Sequence, residues 1–228
     1  MNNKMVIIFK AIFAGFVIGL AGVIYLNLTP DYNVLGALLF SFGLLVVCSF
    51  SLNLYTGKIG YIVEEKKGYF LKILLILLGN IVGMLFISLL VFIINNQTIL
   101  DRAQLITSAK LDNAWYVTLV LSILCGMMMH LGVDGFKRAK NEIAKVFIVI
   151  GAVMIFILSK FEHSIANILY FSLAKWEFKT LLYFGIMVTG NAIGGMLICF
   201  ISNIISKYEK KDEEKTNQSV ENSNIDKK

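Results

Sequence analysis

Apolar runs of near-membrane length dominate this chain. They lie near residues 5–26, 34–56, 70–94, 115–135, 145–174 and 181–205. Each approaches the ~20 helical residues that cross a ~30 Å hydrocarbon core. The runs are continuous rather than alternating, which favours helices over the strands of a membrane barrel. Most of them lack the polar face that a soluble bundle turns to water. Composition agrees: the chain is 57% hydrophobic and 16% charged, where soluble domains run about 45–50% and about 25%. No small-residue cleavage site follows the first run, so it reads as a retained span. The expected fold class is an all-α membrane protein of six transmembrane helices in one domain, 1–206. A charged, Asn/Ser-rich tail over 207–228 reads as disordered.

The net charge of +6 lies between the runs and in the tail, which argues against a nucleic-acid surface. Lys4, Lys10, Lys58, Lys66, Lys67, Lys72, Lys137, Arg138, Lys140, Lys145, Lys207, Lys210 and Lys211 mark one side of the membrane. The loops on the other side carry only Arg102, Lys110, Lys175 and Lys179. The positive-inside rule then puts both termini in the cytoplasm of a multi-pass protein of the cytoplasmic membrane. Cys48, Cys125 and Cys199 all sit within apolar runs, at spacings that suit neither a metal site nor a disulfide framework. No metal, cofactor or enzyme motif is evident.

The chain repeats. Gly79-Asn80-Ile81-Val82-Gly83 matches Gly190-Asn191-Ala192-Ile193-Gly194 at a shift of 111 (190 − 79), and the same shift sets Gly15 on Gly126. Two three-span halves, about 5–94 and 115–205, must then enter the membrane from opposite sides. Such inverted repeats place a functional site where the halves meet near mid-membrane. The second and fifth runs are each interrupted by polar residues: Cys48 to Gly57, and Ser159 to Asn167. The shift of 111 sets Thr56 opposite Asn167 and Asn53 opposite Ser164. Irregular backbone survives at this depth only inside protein or along a watery cavity. A half-helix beginning there turns free N–H groups into that cavity and favours an anion, with Ser164 or Asn53 as its cap. Glu162 and His163 are ionisable groups inside a span, which are expensive and usually functional.

Phe161-Glu162-His163-Ser164-Ile165-Ala166-Asn167 is similar to the fifth-span signature of the formate/nitrite transporter family. Leu54-Tyr55-Thr56-Gly57 resembles that family's broken second span, and Gly190-Asn191-Ala192-Ile193-Gly194-Gly195 its sixth. The resemblance implies an aquaporin-like fold, assembled as a homo-pentamer in membrane lipid with one pore per protomer. It implies His163 as the central pore histidine with Thr56 as its partner. Glu162 belongs to the same site, and Asn191 supplies a polar group to the cavity. Phe40, Leu44 and Phe156 would form the outer constriction, and Leu54 and Tyr55 the inner one. Lys10 and Lys145 would draw anions to the inner mouth. The chain departs from the family pattern at Gly126, where Asn is frequent and would add a cavity hydrogen-bonding group. It also has a short link between the fifth and sixth spans, lacks the N-terminal gating helix of formate channels, and has Tyr55 where Phe is common. These departures resemble the hydrosulfide branch of the family.

The expected function is a channel for a small anion of a weak acid: hydrosulfide first, formate or nitrite next. The alternative is a proton-coupled transporter for formate, nitrite or lactate. A bare anion pays a large desolvation penalty in an apolar constriction, and a histidine titrates near neutrality, so His163 could let the anion cross as its neutral acid. The missing Asn-Pro-Ala triplets argue against a water or glycerol channel. His130 and Asp134 read as interfacial, Met127-Met128-Met129 as packing, Trp115 and Tyr116 as membrane-boundary aromatics, and Glu64 and Glu65 as a solvated loop.

Overall fold

The computed structural model describes residues 3–65, 68–174 and 176–225, with side chains as far as 209. Lys66, Lys67, Lys175, Lys210 and Lys211, counted above for loop charge, lie outside the described side chains. Helices α1 (Asn3–Leu28), α4 (Tyr69–Ile94), α6 (Trp115–Arg138) and α9 (Phe178–Ile225) are long and apolar enough to cross a membrane. Between them lie two composite spans, α2 (Asn33–Ser49) with α3 (Tyr55–Lys58), and α7 (Glu142–Leu158) with α8 (Ser164–Leu173). A 3-10 turn, Ile59–Val63, follows α3. A further helix, α5 (Gln97–Leu111), occupies the stretch that the sequence reading treated only as a loop; its low hydropathy hid it there.

The tail expected to be disordered continues α9 helically as far as Ile225. Its Lys, Glu and Gln residues are good helix formers, and neither proline nor glycine interrupts them.

Both composite spans break by the same device. Ser51 and Lys160 take left-handed backbone at φ 51° and 56°. Leu52 N–H then reaches back to the Val47 carbonyl at 2.9 Å, and Phe161 N–H to the Phe156 carbonyl at 2.9 Å. These are Schellman caps that close the helix without glycine or proline. The chain then runs extended and docks on a neighbouring span, Asn53 N–H on the Lys10 carbonyl and Glu162 N–H on the Leu121 carbonyl. Long helices pair through glycine: a side-chain carbon at Gly15 or Gly126 would collide with the backbone carbonyl of Asn80 or Asn191. Small residues let membrane helices approach this closely. Gly126 therefore serves helix contact, and no cavity side chain could stand there.

The structure also corrects the register of the repeat. Long spans match at 111, but the breaks match at 109 (160 − 51), as do the starts of α3 and α8 (164 − 55). Lys58, not Thr56, is thus the counterpart of Asn167, Asn53 that of Glu162, and Leu54 that of His163.

The face where α1 begins and α9 ends is called the terminal face below. There Arg138 donates to the Ser206 hydroxyl and Lys10 to the Ser51 carbonyl.

Candidate permeation site

The half-helices begin against asparagines borrowed from the long spans. Asn80 Oδ1 accepts the Tyr55 N–H at 2.7 Å, while its Nδ2 donates to the carbonyls of Ala11 (2.7 Å) and Asn53 (2.8 Å). Asn191 repeats this with the Ser164 N–H (2.9 Å) and the carbonyls of Ser122 and Glu162 (both 2.8 Å). Asn191 therefore ties α8 to α6 and α9, and it does not line the cavities on either side of the site. The expected caps are also different. Ser164 Oγ makes no hydrogen bond among the described residues, and Asn53 donates to the Ile7 carbonyl. In α8, the N–H groups of Ser164, Ala166 and Asn167 are all taken, so the helix end offers an anion its dipole more than free donors.

His163 is the N-cap of α8 and is 3% exposed. Its Nδ1 accepts the Ala166 N–H at 3.0 Å. A nitrogen accepting that bond carries no proton, so the neutral ring is protonated at Nε2. Nε2 lies 3.0 Å from Thr56 Oγ1 on α3, and the Nε2–H donates to that hydroxyl. The Thr56 proton is left free to point elsewhere. One hydrogen bond thus joins the two broken spans, and placing a second proton on the ring would forfeit the α8 cap. The ring stacks on Phe156, with centroids 5.4 Å apart, and Phe156 meets Phe40 edge-on at 6.1 Å.

A cavity of about 570 Å³ opens toward the face opposite the termini. Phe40, Phe156, Glu162, His163 and Asn167 line it, together with Lys110 and Lys160. Glu162 is 1% exposed, pairs with Lys110 Nζ at 2.6 Å and accepts Asn167 Nδ2 at 2.7 Å. A carboxylate this deep needs such partners. Lys110 was missed in the sequence reading, which used it only as loop charge. The signal was available: Glu162 required a cation, and Lys110 is one of few on that side.

A second cavity of about 250 Å³ opens on the terminal face, lined in part by Cys48, Leu54, Lys58, Lys137 and Lys145. Along α2, Phe40 faces the first cavity and Val47 the second. Leu44, 1% exposed and a turn from each, lies in the septum between them. Thr56, 0% exposed, lines neither cavity.

Three expectations change. Tyr55 donates its hydroxyl to the Val188 carbonyl on α9 and lines neither cavity. Lys10 binds the Ser51 carbonyl instead of lining the mouth, whereas Lys145 does line it. His130 is not interfacial. It is 1% exposed, packs on the Tyr61 ring at 4.9 Å, and neither ring nitrogen has a partner among the described residues. Asp134, 9% exposed, is held by Tyr61 and Arg138.

Long spans in two inverted sets, with paired half-helices meeting at a buried imidazole, define the class: an all-helical membrane protein of aquaporin-like architecture. Residues 2–208 match the family profile described as formate/nitrite transporter. The chain belongs to the formate/nitrite transporter family.

Among its relatives, the formate channel FocA of Haemophilus influenzae is 29% identical over 147 residues, 59% of this chain and 51% of the relative. FocA of Escherichia coli K12 is 28% identical over 179 residues, 70% and 62% of the two chains. The aligned part thus spans between half and two-thirds of these relatives. The fold resembles a solved structure described as a pentameric formate channel with formate bound. Its TM-score is 0.76 at 22% identity, covering 90% of this chain and 98% of that one. It also resembles a structure described as an FNT family ion channel, with a TM-score of 0.79 at 21% identity, covering 90% and 91%.

Proposed function

We propose that the protein conducts a small monovalent anion of a weak acid through each protomer, with formate as the first substrate to test and hydrosulfide and nitrite beside it. The observation that carries this reading is the His163–Thr56 bond at the septum between two cavities. The septum and its approaches, built by Phe40, Leu44, Phe156 and Leu54, are apolar, and a bare anion there pays its full desolvation cost. Losing water also raises the basicity of a weak-acid anion. The Thr56 hydroxyl, relieved of donating to His163, is free to donate to an arriving anion. Desolvated and held there, the anion takes a proton originating in water, crosses as the neutral acid and releases that proton beyond the septum. His163 keeps its neutral tautomer and fixes the threonine rotor. Chloride, the base of a strong acid, gains nothing from this route.

The relatives' names support formate, and the positive-inside pattern supports cytoplasmic termini. The fold relative's description supports a pentamer, which mass measurement in mild detergent would check. Liposomes carrying the protein should take up formate, nitrite or hydrosulfide faster than chloride, and His163→Phe should abolish or reshape that preference. Wild-type flux and selectivity in His163→Phe would overturn the reading. Uphill accumulation driven by a pH gradient would favour proton-coupled transport.

A further inference from the structure

The two cavities differ in charge. The one opposite the termini holds Lys110 already paired to Glu162. In the one at the terminal face, three elements each contribute an ammonium group, Lys58 from the end of α3, Lys137 from the end of α6 and Lys145 from the start of α7, and no carboxylate among the described residues lines it. Glu142 takes Lys145 at 2.5 Å, but Glu142 is largely exposed and stands at the rim. Lys137 lies over the Tyr61 ring at 3.8 Å, and the nearby carboxylate of Asp134 is engaged by Arg138 at 2.5 Å and by Tyr61. Lys58 is half-buried, and among the described residues the charged side chains acting on it include the like charges of Lys137, Lys72 and Lys10 and no carboxylate.

An ammonium cluster compensated only in part, at its rim, in a concave and partly apolar site focuses potential and lowers its energy by gathering anions. A single monovalent anion neutralises only part of it. Resting on the conduction reading above, we infer that this cavity is a binding site for a small polyvalent oxyanion of the phosphate class, which plugs the pore from the terminal face. The volume of about 250 Å³ holds the equivalent of roughly eight waters, enough for one or two phosphate groups. Leu54 stands at its floor with Leu44 beyond, and a polyvalent ion cannot shed its water to follow the monovalent substrate. Lysine suits this ligand, since it meets phosphate as a compact point charge.

Inorganic pyrophosphate in magnesium-free buffer is the probe. Calorimetry on the full chain in detergent should show binding that weakens about tenfold or more in Lys58→Met. Lys58→Arg should retain it, and Lys160→Met, in the other cavity, should leave it unchanged. In liposomes, pyrophosphate on the terminal face should block formate uptake, scored against each variant's own unblocked rate; on the opposite face it should not. Absence of binding, binding indifferent to Lys58→Met, or equal block from both faces would overturn the site. Should the wild type bind pyrophosphate through Lys58 yet conduct no formate, the site stands and the conduction reading falls.

Discussion

The two broken spans are alike in backbone and unlike in side chains. Each ends its first helix on a left-handed residue, Ser51 or Lys160, docks an extended segment on a long span, and starts its half-helix on a borrowed asparagine. At matching positions the chemistry then diverges: Leu54 against His163, Asn53 against Glu162, Lys58 against Asn167. The shared parts satisfy backbone groups that lipid cannot. The divergent parts face the cavities, except Asn53, which is spent on the Ile7 carbonyl. The fold asks for twofold symmetry only where the backbone must be satisfied, and leaves the two cavities free to differ, with a paired carboxylate and an imidazole in one and lysines around Leu54 in the other.

The comparison is broken most severely at the asparagines. Asn191→Ala would orphan the Ser164 N–H and the Glu162 carbonyl and take a second bond from the helical Ser122 carbonyl, at about 1–3 kcal/mol for each orphaned group. Asn80→Ala would orphan an equivalent set in the other half. Both should unfold at markedly lower temperature in detergent, by similar amounts. A silent Asn80→Ala would show that only one half needs the device.

Next is the ion pair that only the second half owns. Lys110→Met leaves the Glu162 carboxylate buried and unpaired, a loss of about 3 kcal/mol or more. Adding Glu162→Gln should recover most of it, because the amide can still accept from Asn167. Denaturation of single and double variants in detergent measures this. No recovery would mean that Lys110 acts through packing. At the divergent pair itself, His163→Phe removes the Thr56 bond and the α8 cap together. At about 1.5–3 kcal/mol, formate uptake should fall roughly 10- to 100-fold. Leu54→Phe, which keeps its position apolar, should change uptake less.

Much of this architecture was legible in the sequence. Apolar runs gave the crossings, and polar interruptions gave the breaks. Glycine and asparagine at a fixed shift gave the inverted repeat, because helix contact and cross-span capping demand those residues. The register of the half-helices was not legible. The two halves differ in the loop ahead of each composite span, 29–32 in one and 139–141 in the other, while every matched pair that set the shift lies in an unbroken helix. Helix α5 escaped because a polar helix leaves no apolar run, and Lys110 escaped with it. Asn191 looked like a pore group because a buried amide can serve backbone or ligand equally, and only its three partners decide.

The smallest expected effect tests the symmetry most finely. Ser51 and Lys160 are the two non-glycine residues that bend the composite spans, each with φ above 50°, a conformation that costs an L-residue roughly 1–2 kcal/mol. Glycine removes that cost but gives back part of it through a more flexible unfolded chain. Ser51→Gly and Lys160→Gly should therefore each stabilise by about 0.5–1 kcal/mol, seen as a small rise in melting temperature. Ser51 accepts the Lys10 ammonium through its backbone carbonyl, which glycine keeps, so the two gains should match. A loss at Lys160 alone would mean that its side chain contributes at the mouth of the larger cavity, and that the second break is held by more than its backbone.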